Sequence, residues 1–214
     1  MKRAALVMML FMSSGMVGAA EKGKEAVKPA VSQGTLAVEV QAQKKTMMEK
    51  MQQLGGPSEG HKVLEPLVGN WTYDGQWWMS PDAPAESMKG TATNTLIFGG
   101  RFLREEVHAP AQGDQPAFEG LGFTGYDNIR KEYQTVWFDN MNTSMMRGAG
   151  KFDAATSTLT DEGDFSCPIT GESHRWYRTD WKILDQNHAT YESYSRTPEG
   201  REFKSLEIRY LRAQ

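Results

Sequence analysis

The sequence predicts an all-β domain: an antiparallel up-and-down β-barrel of about ten strands, with a short N-terminal helix closing one end. Three observations lead there. From Asn70 onward, short segments rich in Trp, Tyr, Phe, Val and Thr are separated by turn residues. The gaps between them leave almost no room for helices, so an antiparallel meander is the economical topology, and closing it removes the sheet edges. Cys167 is the sole cysteine, so no internal disulfide forms and the core must hold the fold alone.

The chain divides into a signal peptide over residues 1–20, a flexible linker over 21–57 and the barrel domain over 58–214. Lys2 and Arg3 form a positive n-region, followed by an apolar run from Ala4 to Gly15. Small residues through Ala19 and Ala20 suit cleavage. The run is shorter than the ~20 residues a spanning helix needs. No cysteine follows it to carry lipid, so the expected location is periplasmic or secreted, with no stable membrane insertion after cleavage. Cleavage leaves 22 basic against 27 acidic residues, a net charge of about −5. With that charge and no basic stripe, nucleic acid is not an expected partner.

Glu21 to Gly60 is rich in Lys, Glu, Gln and Ala and lacks aromatic residues. Its first part cannot bury enough surface to order itself. Met47, Met51 and Leu54 fall at i, i+4 and i+7, which predicts a helix near 36–54, ended by Gly55-Gly56-Pro57. That helix rests on the domain or serves as a tether.

Ser58 to Leu67 predicts a short helix with Ser58 as N-cap and Leu64, Leu67 and Val68 as its apolar face. Gly69 breaks it. Strands are then expected over 70–79, 86–98, 101–108, 118–126, 132–139, 143–152, 157–165, 173–184, 188–196 and 201–211. Gly99-Gly100 reads as a two-residue hairpin turn. Trp71, Tyr73, Gly75 and Trp77 share one face of the first strand. Later strands carry bulk on both faces, as in Tyr133, Thr135 and Trp137 against Val136 and Phe138. Such mixing suits a barrel with a partly polar interior able to hold a ligand.

Gly69-Asn70-Trp71 after a short helix is similar to the Gly-x-Trp that opens calycin barrels, the lipocalin-like proteins. The wider pattern resembles an uncharacterised bacterial family, the domain of unknown function 1579. It runs from His61-Lys62-x-Leu64-x-x-Leu67-Val68-Gly69-x-Trp71 through Trp78-Met79-x-Pro81-x-Ala83-Pro84 and Gly99-Gly100-Arg101-Phe102-Leu103. It continues through Phe118 to Asn128, Trp137-x-Asp139-x-Met141 and Gly200-x-Glu202-Phe203-Lys204. The resemblance implies a lipocalin- or nitrobindin-like barrel and brings no established activity. The calycin likeness further implies an arginine near the last strand covering Trp71. Arg209 or Arg212 could play that part, and Gly69, Trp71 and Arg209 are taken as the structural set.

The expected function is to hold a small apolar or amphipathic ligand, lined by Trp77, Trp137, Tyr177, Trp181 and Glu119. Three alternatives stand beside it. One is haem bound through His174 or His188, which similarity to haem-binding barrels implies. Another is an enzyme using the same cavity, although no nucleophile elbow, phosphate loop or zinc-protease helix is present. The last is an envelope interaction protein that docks through residues 36–54. Adjacent Glu105 and Glu106 must point to opposite faces. Arg104 and Glu106 share a face with Phe102 and His108, read as an outer salt-bridge ladder. Glu119, Asp139 or Glu207, if turned inward, would have a raised pKa.

Overall fold

The computed structural model describes residues 33–113 and 115–214, with side chains from residue 37 onward; the expected leader lies outside the described residues. Residues 45–214 form one compact unit, and the described residues before Lys45 belong to another. Helix α1 spans Gln33–Gly55, longer at its start than the methionine spacing predicts. Met47, Met51 and Leu54 stay exposed on it. No described helix is long and apolar enough to cross a membrane.

The lead-in is shorter and tighter than a single helix. Helix α2 (Glu59–Lys62) gives way to a 3-10 turn over Glu65–Leu67. Pro66 lacks the N–H that a continuing α-helix would need. The Ser58 amide donates to His61 Nδ1 at 3.0 Å, which fixes the start of α2.

Ten strands follow: β1 (Gly69–Trp77), β2 (Glu86–Ile97), β3 (Phe102–Ala109), β4 (Phe118–Asp127) and β5 (Glu132–Asp139). The second half is β6 (Met146–Asp153), β7 (Thr158–Phe165), β8 (Arg175–Ile183), β9 (His188–Arg196) and β10 (Glu202–Arg212). Each pairs with the next in sequence, and β1 pairs with β10 to close the barrel. The Gly99-Gly100 connection is wider than a two-residue turn: Ile97 pairs with Phe102, and Phe98, Gly99 and Gly100 all have positive φ.

Alternation sets the inside. Trp71, Tyr73, Leu103, Val107, Tyr133, Leu159, Ile208 and Tyr210 form the core with Leu64 and Leu67 from the lead-in. The lead-in plugs the end at which β1 begins. Trp71 Nε1 and Asn94 Nδ2 both donate to the Leu67 carbonyl, at 2.9 and 3.0 Å. Tyr133 donates to the Gly60 carbonyl at 2.7 Å. These bonds satisfy carbonyls that the broken helix leaves open.

Arg212 pairs in register with Trp71, and its guanidinium lies over the Trp71 ring, 4.1 Å from the centroid. It also donates to the carbonyls of Val68, Pro66 and Gln186 at 2.6, 2.7 and 2.6 Å. Gly69 belongs to this arrangement. Its φ is +132°, and a Cβ there would stand 2.4 Å from Arg212 Nη1. Arg209 does not take the covering role. It faces outward, 69% exposed in its side chain, and pairs with Glu207.

Candidate functional site

Toward the other end of the barrel the interior is not filled. A cavity of about 340 Å³ remains, walled mainly by aromatic and aliphatic side chains. That lies at the lower end of the range for small-molecule sites. Trp77, Trp137, Tyr177 and Trp181 all line it, each from an inward position of its strand. Phe118 stacks on Trp137 at 6.4 Å, and Trp181 stacks on Tyr210 at 5.0 Å. Trp71 is 3% exposed beneath them and does not belong to the lining.

Glycines make the wall thin where rings need space. A Cβ on Gly120 would stand 2.2 Å from the Trp137 ring. One on Gly148 would meet Asp161 Oδ2 at 2.2 Å and the Tyr177 hydroxyl at 2.7 Å. Both positions therefore favour the smallest residue because of close approach.

Three carboxylates reach this interior: Glu105, Asp139 and Asp161. Two are already satisfied. Asp139 Oδ2 accepts from Trp137 Nε1 and Oδ1 from the Met141 amide, both at 2.9 Å. Asp161, 4% exposed, accepts from the hydroxyls of Thr135 and Thr179. Burial nevertheless raises its pKa above the ordinary aspartate range.

Glu105 is different. Its Oε1 is shielded from solvent and has no hydrogen-bond partner, and neither has the Tyr73 hydroxyl. Burial lifts the Glu105 carboxyl to about 7, against the opposing pull of a Tyr210 hydrogen bond. Tyr73, Tyr191 and Tyr210 all sense its charge, and their hydroxyls are pushed up, chiefly by burial. An unpaired acceptor in such surroundings has lost its water without gaining a substitute.

The remaining expected site residues lie elsewhere. Glu119 is exposed, pairs in register with His108, and stands outside the cavity lining. Inward Phe118 fixes the parity that turns it out. Glu207 also faces outward, and its pKa is lowered, first by the Lys204 hydrogen bond. Neither His174 nor His188 reaches the cavity where an axial haem ligand would stand. His174 is 82% exposed in its side chain beside Asp164. His188 is 53% exposed and engages both Asp185 oxygens at 2.9 Å. His61 is buried against Tyr126 in the plug instead. The Arg104–Glu106 pair lies on the outer face, as a ladder does.

From the sequence Glu105 is weighed only as half of an adjacent acidic pair, and Asp161 and the cluster of Tyr73, Tyr191 and Tyr210 are not singled out. A signal was present for Glu105. It alternates with Leu103 and Val107, so the face opposite Arg104 and Glu106 carries one acid between two aliphatic residues. Leu159-x-Asp161 repeats that pattern on β7.

A family model described as "Protein of unknown function (DUF1579)" matches residues 56–212. No curated protein matches the chain. Among solved structures, the chain is similar to the crystal structure of Rv2717c from M. tuberculosis. The TM-score is 0.55 at 13% identity, covering 74% of this chain and 100% of that one. At that identity the likeness extends to the barrel fold alone. A redesigned β-barrel matches over the same shares, 74% and 100%, at 11% identity with a TM-score of 0.37, too low to carry an argument.

Proposed function

The chain belongs to the DUF1579 family of proteins of unknown function, and we propose that its barrel binds a small amphipathic molecule. One observation carries this reading. The interior cavity of about 340 Å³ combines aromatic walls with an unsatisfied buried carboxyl group. A core built only for stability would fill that space and would not hold an unpaired acid. The aromatic walls supply burial, and the polar group fixes orientation.

Binding is favoured over catalysis by the state of the acids. Asp139 and Asp161 are committed to internal donors, and no histidine or nucleophilic thiol stands among the lining residues to work with Glu105. Export by the leader belongs to the same proposal, and it places the barrel in the periplasm or outside the cell. Amino-terminal sequencing of the chain recovered from its own host tests that part, with a start at residue 20 or 21 expected.

Native mass spectrometry of the full chain purified from its host tests the binding. A retained small molecule, lost when the cavity is blocked by Leu206→Trp at its lining in a variant that still folds, is the expected result. A chain that carries nothing and shows no thermal shift with any amphipathic probe overturns it.

A further inference from the structure

The lining residues have a one-sided charge. Glu105, Asp139 and Asp161 are acidic, and Lys, Arg and His are absent from the cavity wall. A carboxylate or phosphate head would enter a site with no cation to meet it and with acids nearby. In a water-poor interior that repulsion is not screened as it is at the surface. The cavity therefore selects against anionic amphiphiles, fatty acids among them.

The same wall shows what is missing. Asp139 and Asp161 have their donors. Glu105 Oε1 and the Tyr73 hydroxyl have none. Both groups line the same cavity. Tyr210 stands close enough to influence Glu105 but, as a neutral hydroxyl, cannot neutralise its charge. The vacant role is a donor of N–H bonds carrying positive charge.

We infer that the ligand is an amine, with its ammonium head on Glu105 and Tyr73 and its apolar body against Trp77, Phe118 and Trp137. This rests on the proposal that the cavity holds a ligand, and it names the ligand's class. An ammonium group donates to Glu105 Oε1 and to the Tyr73 oxygen together, which satisfies both unpaired atoms. The charge-assisted bond to a carboxylate is stronger than a neutral one. The body fits a groove of stacked rings that also attracts cations through their faces.

The test compares three heads on one body, 4-phenylbutylamine, 4-phenylbutanol and 4-phenylbutyrate, titrated at pH 8, where Glu105 is largely ionised, into the full chain and followed by tryptophan fluorescence and calorimetry. Tighter binding of the amine than of the alcohol, by about tenfold, is expected, with butyrate weakest. Glu105→Gln should bring amine and alcohol to equal affinity while alcohol binding persists. If Glu105→Gln melts below the assay temperature, Tyr73→Phe replaces it, and an amine-selective loss of about threefold is expected. Butyrate binding as tightly as the amine, or an amine preference unchanged in the variant, overturns the inference and leaves the cavity reading standing. If none of the three binds, and the neutral probe N-phenyl-1-naphthylamine also fails, the cavity reading fails as well.

Discussion

The Arg212 guanidinium lies 4.1 Å from the centre of the Trp71 ring, and the two residues are direct register partners on β10 and β1. One side chain thus caps the core tryptophan, binds three carbonyls and spans the seam of the barrel. Arg212→Ala removes a cation–π contact and leaves those carbonyls without their donor. Destabilisation of roughly 3 kcal/mol is expected in urea unfolding. Arg209→Ala, on the outer face, should stay within about 0.5 kcal/mol of the parent. Equal losses for the two would show that the seam does not depend on the stacked arginine.

Glu105 makes a pH signature. Its folded pKa is about 7 against an ordinary 4.5. The folded state therefore holds a proton that the unfolded chain releases between those values. Stability is full below about 4.5 and declines as pH rises towards 7 and beyond, by roughly 3 kcal/mol. Tyr73, Tyr191 and Tyr210 face it from β1, β9 and β10 and stay protonated throughout, since their pKa values are raised. Asp161, raised by burial, and His61, lowered chiefly by burial, act in parent and variant alike and cancel in the difference. Denaturation of parent and Glu105→Gln at pH 5 and pH 8 should show the gap closing or reversing at the higher pH. Parallel profiles would refute the buried acid.

Gly163 has no space for a methyl group. A Cβ there would stand 1.9 Å from the Arg147 carbonyl on the paired strand, an atom that cannot swing away. Gly163→Ala should part β6 from β7 and cost roughly 3 kcal/mol or more. Gly55→Ala, with nothing within 4 Å of the added carbon, is the matched control. Its effect should lie within about 0.5 kcal/mol, since an exposed helical alanine is well tolerated.

Asn128 fastens the chain that enters the barrel domain. Its Nδ2 donates to the Leu54 and Gly56 carbonyls, both at 2.8 Å, and its Oδ1 accepts from the Ser58 hydroxyl at 2.6 Å. Asn128→Ala should cost about 2 kcal/mol. It should also speed amide exchange across residues 56–64 more than in β5 to β9. Uniform acceleration everywhere would mean that the lead-in does not open on its own.

The barrel was legible in the sequence because turn residues and aromatic alternation repeat from Asn70 to the last strand. Trp77, Trp137, Tyr177 and Trp181 follow from that alternation and line the cavity. The polar heart was not found, because both faces of several strands carry rings. Phe123 and Phe138, whose rings lie 6.4 Å apart, are out of phase with Tyr133 and Trp137 and look no less buried in the sequence. Parity decides such cases. Arg212 shares the inward phase of Ile208 and Tyr210, and Arg209 does not. The irregularity between Lys204 and Leu206 resets that phase midway along β10, and no residue type there announces it. Glu119 fails for the same reason, one step out of phase with Phe118.

Closure through β1 and β10 also sets an order of events. The strand that opens the barrel pairs with the strand that ends it, some 140 residues downstream, as Trp71 and Arg212 show. Every other pairing joins neighbours in the chain, so the meander can zip progressively while its first strand waits with one edge bare. Such long-range closure is slow relative to local hairpins. Until residues 202–212 arrive, Trp71 has no lid and the β1 edge is open to any other strand. A chain truncated within β10 should therefore persist as a sticky, nearly complete sheet, and it is this intermediate that a cell making the protein has to shield.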